Sequence, residues 1–349
     1  MSEEPAIRTD HLTKVYSDRV IAVNDMNLVV PQGAVFGLLG PNGAGKTTTL
    51  RLLLGLQRPS AGGAWVFGKA CSRRAVEVRN AIGYLPTNPK LPANLRPIEY
   101  LDMLGQLCRI PHEVRKPRLS SLLRAVGLLG TTGQRIGTLS TGETTRLGIA
   151  ASLVADPPLL IWDEPTAGLD PAARRFTLDL IRQLRASKTV VIATHILSDI
   201  DQICDHVGVM HEGRMIFCGT MRDMTQRLRR DDFFLELDGP AEALARLAQE
   251  VSRLEGLAAR TDGPRMLVVG LAEGRSRAAA LAEVLCRAEA AGLVLQTINS
   301  GLNQTENAYL QLLQEDEAHG FQRFELDARP AVGTGARPAT DAIPGHPAV

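Results

Sequence analysis

The stretch Gly40-Pro-Asn-Gly-Ala-Gly-Lys-Thr-Thr48 decides the fold. It follows an apolar run over residues 34–39 and opens a helix-like run over residues 48–56, which is the strand–turn–helix context that a phosphate-binding loop requires. Its glycines let the backbone curl so that successive N–H groups point inward at phosphate oxygens, and the positive end of the helix dipole adds to that attraction. The alternative is a glycine-rich turn that binds nothing. The strand and the helix on either side favour a loop that binds a nucleoside triphosphate.

Side-chain chemistry assigns roles within this loop. Lys46 is expected to reach the β- and γ-phosphates, and the hydroxyl of Thr47 is expected to help hold Mg²⁺. The residues predicted to contact the nucleotide here are Gly40, Pro41, Asn42, Gly43, Ala44, Gly45, Lys46, Thr47 and Thr48.

Composition and charge exclude several classes of protein. The 349 residues allow two or three domains, and the formal net charge of +1 gives no overall field that steers the chain toward nucleic acid or anionic lipid. The five cysteines are odd in number and lack Cys-x-x-Cys spacing, which indicates free or buried thiols and argues against a disulfide framework or a zinc site. No apolar run approaches about 18 residues and the first residues lack a signal-peptide core, so we expect neither a membrane span nor secretion.

Periodicity divides the chain into three parts. Residues 1–219 carry short β-segments, the phosphate loop and continuous apolar runs typical of buried parallel strands, with a helical insert over about 88–155. Residues 220–317 follow a β-α-β-β-α-β-α order, which fits a small ferredoxin-like α+β domain. Residues 318–349 are rich in Pro, Gly, Ala and Thr without periodicity, so we expect a disordered tail. The predicted fold class is α/β, with a mixed-sheet P-loop core, an antiparallel β subdomain and a helical subdomain, plus the α+β domain.

Two carboxylates end the apolar run that follows the helical insert. Asp163, at the end of the predicted strand, is expected to point toward the phosphates and to support Mg²⁺, usually through water. Glu164 lies one residue further and is placed to polarise an attacking water. Alone, such a pair is more often a helix cap or a surface pair. Following a phosphate loop, it indicates hydrolysis of a bound nucleotide.

Further motifs resemble those of a known family. Asp163-Glu-Pro-Thr-Ala-Gly-Leu-Asp170 is similar to the Walker B and D-loop run of ATP-binding cassette ATPases, Leu139-Ser-Thr-Gly-Glu143 to their signature motif, and Ala193-Thr-His195 to their switch histidine. Tyr16, upstream of the phosphate loop, matches the aromatic residue that stacks on adenine in that family. The resemblance extends over residues 6 to about 219, with its motifs in the family's order.

The resemblance implies an activity, cofactors and partners. It implies ATP and Mg²⁺ as cofactors, with Lys46 neutralising charge, Glu164 positioning the attacking water and His195 contacting the γ-phosphate. It implies a homodimer in the ATP-bound state, because in the family the signature helix faces the γ-phosphate held by the opposite subunit. The residues implied to contact nucleotide outside the phosphate loop are Tyr16, Ser140, Thr141, Gly142, Glu143 and Asp170.

Each of these matches has a simpler alternative. Ser140 and Glu143 have the spacing of a capping box, which any helix can use, although an exposed helix N-terminus is also an anion site. His195 read alone is a histidine at the end of a strand, and Tyr16 read alone is an aromatic residue packed between β-segments.

Three positions depart from the family pattern. Thr87 stands where the family commonly has a glutamine that touches Mg²⁺ and the attacking water, so we count Thr87 among the metal-site residues; a one-residue shift would bring Asn88 there instead. Thr141 replaces the first signature glycine and Glu143 replaces the signature glutamine. These changes place full catalytic rate and coupling in question and leave nucleotide binding intact.

A single cassette with a C-terminal extension resembles the ATPase subunits of bacterial two-component exporters, which work with separately encoded permeases. We therefore expect an ATP-hydrolysing subunit that couples dimerisation to an integral-membrane permease, peripheral to the cytoplasmic face of the inner membrane and without a nucleic-acid partner. One alternative is a soluble cassette ATPase acting on nucleic acid or the ribosome, although the basic, zinc or coiled-coil inserts of such proteins are not visible. Another is a low-turnover, nucleotide-dependent regulator of a membrane complex. The sequence specifies neither cargo nor transport direction.

Overall fold

Three β-sheets organise the protein, as described by a computed structural model. The structure describes residues 4–17, 20–72, 74–226, 233–272 and 274–299, and then 305–306, 308–310, 312–313 and 315–316. The disordered tail predicted over residues 318–349 lies outside the described residues. Among the described residues, no helix combines the length and apolar character needed to cross a bilayer.

The regular elements of this part of the chain run in the following order. The strands are β1 (Ile7–Val15), β2 (Ile21–Met26), β3 (Val29–Val30), β4 (Val35–Leu39), β5 (Ala61–Val66), β6 (Lys69–Ala70), β7 (Ile82–Leu85), β8 (Leu159–Asp163), β9 (Thr189–Thr194), β10 (His206–His211), β11 (Arg214–Thr220), β12 (Phe233–Asp238), β13 (Leu257–Thr261), β14 (Met266–Leu271) and β15 (Val294–Asn299). The helices are α1 (Lys46–Leu53), α2 (Val76–Asn80), α3 (Pro97–Leu107), α4 (His112–Ala125), α5 (Thr141–Leu153), α6 (Pro171–Leu184), α7 (Leu197–Ile203), α8 (Met221–Gln226), α9 (Ala241–Ser252) and α10 (Arg277–Ala290).

The central sheet has the strand order β11-β10-β4-β9-β8-β7. All neighbours in it are parallel except β10 and β11, which pair antiparallel, so the sheet is mixed as predicted. Strands β4, β8 and β9 are buried along their whole length, because helices or a second sheet cover both faces. Their carboxyl ends meet at one edge, which is where ligands bind in open α/β sheets.

Alternate side chains of β4 pack on opposite faces of the central sheet. Phe36 and Leu38 belong to a core shared with α1 and the antiparallel sheet, which has the order β2-β1-β5-β6 with β3 paired to β1. Val35 and Leu39 belong to a larger core that includes Trp162 and the helical insert α3–α5. The central sheet is therefore held from both sides, which fixes the edge that carries the candidate site.

Local sequence signals set where the helices around this edge begin. Gly45 precedes α1 with a left-handed backbone. Asp170 caps α6 through its carboxylate, which accepts hydrogen bonds from two backbone N–H groups, and Pro171 occupies the first helical position. Ser140 begins α5 with a capping box.

The C-terminal part forms a third sheet with its own core. Strands β12 to β15 pair antiparallel in the order β13-β14-β12-β15. Side chains of this sheet, such as Phe233 and Leu235, pack on α9 and α10 in a cluster separate from the other two. The described elements thus follow the β-α-β-β-α-β order expected of a ferredoxin-like unit. The limits 220–317 for this domain stay a prediction.

The described residues between 305 and 316, here called the return segment, contact the nucleotide-binding part of the chain. Ala308 and Leu312 are buried in the larger core beside the central sheet. The Thr305 hydroxyl donates to Asp201 Oδ1 on α7 at 2.6 Å, and Asp316 Oδ2 lies 2.9 Å from His211 Nδ1 at the end of β10. The sequence predicts a helix here as the last element of the accessory domain. In the structure, its described residues Ala308 and Leu312 pack on the first domain and not on the third sheet.

Candidate active site

The phosphate loop joins β4 to α1 at the carboxyl edge of the central sheet. Gly45 has φ +99°, and a Cβ atom there would lie 2.1 Å from the Ala22 carbonyl oxygen. A Cβ atom on Gly40 would lie 2.3 Å from the Met210 carbonyl oxygen. Glycine is therefore required at both positions, by backbone conformation at the first and by close backbone approach at both.

A cavity lies beside this loop. Its lining residues are Ala22, Asn42, Gly43, Ala44, Gly45, Lys46, Thr47, Thr48, Thr87 and Glu164. Most of the predicted loop residues are therefore on its wall, and Thr87 and Glu164 join them from distant parts of the chain. Asn88 is not among the lining residues, so Thr87, and not its neighbour, borders the cavity. Ala22 also lines the cavity, although nothing in the sequence of its strand marks it as facing a ligand.

Lys46 is only 6% exposed, and its ammonium group lies folded over the loop. Nζ donates to the carbonyl oxygens of Gly40 at 2.7 Å and Pro41 at 3.1 Å, and lies 3.7 Å from Glu164 Oε1. Burial lowers the pKa of Lys46, while the carboxylates of Glu164 and Asp163 oppose that change. The cation is thus held between loop carbonyls and carboxylates, where an incoming phosphate finds a partly desolvated positive charge.

Asp163 ends β8 beside the loop and is 2% exposed. The Thr47 hydroxyl donates to its Oδ2 at 2.8 Å, while Oδ1 is buried without a hydrogen-bond partner. Burial raises the pKa of Asp163, and the hydrogen bond from Thr47 opposes this. Thr87 donates to the backbone carbonyl of Asp163 at 3.3 Å.

These oxygens fit a Mg²⁺ ion. Mg²⁺ binds through one or two protein oxygens, substrate phosphates and waters, and a hydroxyl next to an unpaired buried carboxylate oxygen is such a donor set. No group of three or more His, Cys, Asp or Glu side chains suited to a metal occurs among the described residues, so a site built wholly from protein ligands is not found there.

Glu164 carries the second carboxylate, with its side chain 11% exposed. Both of its oxygens lie 3.0 Å from Nδ1 of His195, and Thr194 Oγ1 donates to Oε2 at 3.2 Å. Thr194 belongs to no predicted set of site residues, and its place next to His195 at the end of β9 is the sequence signal for it. The carboxylate is therefore oriented by two neighbouring groups and faces the cavity.

The backbone of Glu164 is left-handed, with φ +52°. This conformation costs a non-glycine residue about 1–3 kcal/mol and persists only where neighbouring contacts enforce it. One such contact is the hydrogen bond from the Glu164 N–H to the Ala193 carbonyl at 2.8 Å. This left-handed conformation turns the Glu164 side chain toward the cavity, which it lines.

The signature residues and Asp170 are not in the cavity lining. The Ser140 N–H and hydroxyl donate to Glu143 Oε2 at 2.8 and 2.9 Å, and these bonds lower the pKa of Glu143. Thr141 and Gly142 form the first turn of α5. The capping box indicated by the spacing of Ser140 and Glu143 is thus formed, with the Glu143 carboxylate at the N-terminus of α5.

Tyr16 follows β1 and reaches the phosphate loop from the antiparallel sheet. Its hydroxyl donates to Gln57 Oε1 at 2.9 Å and lies 3.4 Å from Thr48 Oγ1. The Lys14 ammonium lies 5.4 Å from the centre of the ring. Tyr16 therefore borders the loop next to the predicted nucleotide position.

Comparison with known proteins identifies the family. The family model described as ABC transporter matches residues 23–167. The daunorubicin/doxorubicin resistance ATP-binding protein DrrA of Streptomyces peucetius is 37% identical over 286 residues, which cover 78% of this chain and 86% of that protein. The chain belongs to the ABC transporter family. It is an ATP-binding subunit and an ATPase, which confirms the predicted activity.

Two further ABC proteins agree with this assignment. The Nod factor export ATP-binding protein I of Cupriavidus pinatubonensis is 40% identical over 212 residues, and the match covers 60% of this chain and 65% of that relative, just under two thirds of its length. A solved structure described as the ATP binding subunit of an ABC transporter has a TM-score of 0.59 and 28% identity, covering 64% of this chain and 92% of that one. The predicted resemblance to exporter-type subunits and the predicted fold class are confirmed, and the nucleic-acid alternative is not favoured.

Proposed function

We propose that this ABC ATPase hydrolyses Mg²⁺-bound ATP and drives an integral-membrane permease of an exporter, from a peripheral position on the cytoplasmic face of the inner membrane. One observation carries the catalytic part of the proposal. Lys46, the Thr47–Asp163 pair and the Glu164–His195 pair converge at one edge of the central sheet. These groups supply phosphate binding, a metal site and an oriented carboxylate.

The residues act on the nucleotide in distinct ways. The N–H groups of the phosphate loop and the N-terminus of α1 bind phosphate oxygens. Lys46 Nζ gives up its hydrogen bonds to the Gly40 and Pro41 carbonyls and donates to phosphate oxygens instead. Thr47 and Asp163 hold Mg²⁺, which when bound neutralises charge on the phosphates. Glu164 accepts a hydrogen bond from a water and takes up its proton as that water attacks the γ-phosphorus. The bond from the γ-phosphorus to the β,γ-bridging oxygen breaks, and ADP leaves with that oxygen. His195 keeps the Glu164 carboxylate in this orientation and lies next to the γ-phosphate position.

The dimer is part of the same proposal. Ser140, the other signature residues and Asp170 lie outside the cavity of their own chain. We infer from the family resemblance that they contact the γ-phosphate bound by a second copy. ATP held between two copies stabilises the dimer by mass action, and hydrolysis releases it.

The export assignment comes from the relatives. Their names refer to export of a Nod factor and to resistance against daunorubicin and doxorubicin. The match to DrrA, over 286 residues, is longer than the 219 residues predicted for the cassette and so extends into the accessory part. We propose that this chain likewise works as an exporter subunit with a separately encoded permease.

The test is Glu164→Gln in the full-length chain. We expect ATP binding to persist and hydrolysis to fall by about 10²–10⁴-fold, the usual contribution of a general base. Phosphate release measures the rate, and size-exclusion chromatography with saturating ATP and Mg²⁺ measures the trapped dimer. A variant that stays monomeric under these conditions contradicts the dimer, and one that hydrolyses at the wild-type rate contradicts the role of Glu164.

A further inference from the structure

A buried carboxylate lies outside the site described above. Asp199 on α7 is 1% exposed. Its Oδ2 accepts a hydrogen bond from the Thr166 hydroxyl, and its Oδ1 accepts one from Arg174 Nε at 2.7 Å and pairs with Arg174 Nη2 at 2.6 Å. Arg174 also donates to the Ser198 hydroxyl at 2.6 Å. Asp199 therefore uses one oxygen for Thr166, in the turn after β8, and the other for Arg174 on α6.

These contacts join the two chain segments that carry Glu164 and His195. Thr166 lies two residues after Glu164, and Asp199 lies four residues after His195. The same two segments already meet where Glu164 contacts His195 and Thr194. The hydrogen bond between Thr166 and Asp199 is thus a second link between these segments, two residues after Glu164 in the chain.

The left-handed backbone at Glu164 explains why a second link matters. Before the turn, its N–H is bound to the Ala193 carbonyl. After the turn, Thr166 is 2% exposed and is held by Asp199. Within the turn, the Ala167 N–H donates to the Glu164 carbonyl at 3.3 Å, but that bond does not tie the turn to α7. Without the Thr166–Asp199 contact the turn can shift relative to α7, which moves the carboxylate away from the cavity.

We propose that Asp199 is a positioning residue for ATP hydrolysis. By holding Thr166, it fixes the turn that presents the Glu164 carboxylate to His195 and to the phosphate loop. Arg174 keeps the Asp199 side chain oriented, since it occupies the second carboxylate oxygen. The inference rests on the proposed role of Glu164 in positioning water.

A purely structural role predicts a different outcome. Removing one partner of a fully buried ion pair is strongly destabilising, because the other charge is left unpaired and away from water. Asp199→Asn keeps the side-chain shape, and Arg174 is partly exposed and so can be hydrated. The variant is therefore expected to fold, with the ATP-binding loop unchanged and the Glu164 turn loosened.

The experiment compares kcat with ATP affinity in the full-length chain. For Asp199→Asn we expect kcat to fall about 10- to 100-fold, the loss typical of a displacement of about 1 Å at a reacting group, while the Kd for ATP stays within about threefold. Thr166→Val removes the same hydrogen bond from the other side and should reproduce the loss, whereas Thr166→Ser keeps the hydroxyl and should retain the wild-type rate. Asp179→Asn breaks a half-exposed Asp–Arg pair on α6 and is the matched control, expected to leave kcat unchanged.

A double-mutant cycle separates this inference from the proposed function. If Asp199 acts through Glu164, Asp199→Asn causes no further loss of kcat in the Glu164→Gln background. Additive losses of kcat in the double mutant overturn the proposal. A wild-type kcat in Thr166→Val also overturns it. If Asp199→Asn does not fold, the kcat of Thr166→Val alone is the test. If Glu164→Gln itself keeps full activity, the proposed function fails, and this inference fails with it.

Discussion

Replacing Asp163 by Asn is expected to stabilise the nucleotide-free protein while removing its Mg²⁺-dependent response to ATP. The Asp163 carboxylate is buried, and its Oδ1 has no hydrogen-bond partner. Burial raises its pKa against the hydrogen bond from Thr47, so the ionised form is held in the fold at a cost. An amide of the same shape carries no charge and avoids much of that cost.

The magnitude follows from the unpaired atom. A buried polar atom without a partner costs about 1–3 kcal/mol, and more when it is charged. Asparagine keeps an oxygen for the Thr47 hydroxyl but leaves both N–H bonds of its uncharged amide group unpaired, so we expect a net gain of only about 1 kcal/mol, at the low end of that range. For a unit of 150–250 residues, this corresponds to a rise in Tm of roughly 2–4 °C.

The pH dependence has a definite sign. Because the pKa of Asp163 is higher in the folded than in the unfolded chain, the folded state binds more protons between those two pKa values. The stability that protonated Asp163 contributes is therefore present below the unfolded pKa and is lost as pH rises through the folded pKa. Asp163→Asn lacks this loss, so its advantage over the wild type is greatest above that window.

Thermal unfolding followed by tryptophan fluorescence tests this, because the buried Trp162 is next to the substituted residue. Asp170→Asn is the control, since Asn and Asp are equally good helix caps and Asp170 is exposed. With ATP at about 100 times its Kd, the wild type should gain about 2.7 kcal/mol, and in the variant this gain should no longer depend on Mg²⁺. A lower Tm than wild type for nucleotide-free Asp163→Asn at neutral pH, with Asp170→Asn unchanged, would refute the reasoning.

Two further substitutions test the metal site and the return segment. Thr87→Gln is expected to raise the basal rate of ATP hydrolysis or to tighten its Mg²⁺ dependence, because the longer amide reaches into the cavity that Thr87 lines; phosphate release measures this, with Asn88→Ala as the control. Loss of turnover in Asn88→Ala together with no change in Thr87→Gln would assign the position to Asn88. Leu312→Ala is expected to lower the free energy of unfolding by about 2–5 kcal/mol, measured by denaturant titration, because it opens a cavity in the larger core. Truncation after residue 318 should leave that free energy unchanged, and an equal loss in the truncated chain would contradict the prediction.

The sequence predicted the fold and the centre of the site because their signals are local. Gly40 to Thr48 lies between a strand and a helix, and Asp163 ends a continuous apolar run, so motif and periodicity agree at each place. Thr87 was assigned because it stands where the family commonly has a glutamine, and the structure puts it on the cavity wall.

The contacts missed from the sequence have no local signature. Asp199 is one acidic residue on a short helix, which reads as a surface position, and its partner Thr166 is 33 residues away. The return segment shows apolar residues such as Leu312 at helical spacing, but periodicity identifies a buried face without identifying what buries it. Only the three-dimensional arrangement assigns those faces to the first domain and not to the third sheet.

The return segment gives the accessory sheet a second attachment to the first domain, after the one through α8. Met224 on α8 is buried in the larger core before the chain enters the third sheet, and Thr305 binds Asp201 after the chain leaves it. A force on the accessory sheet therefore reaches the first domain at two places, α8 and α7, and α7 is the helix that follows His195.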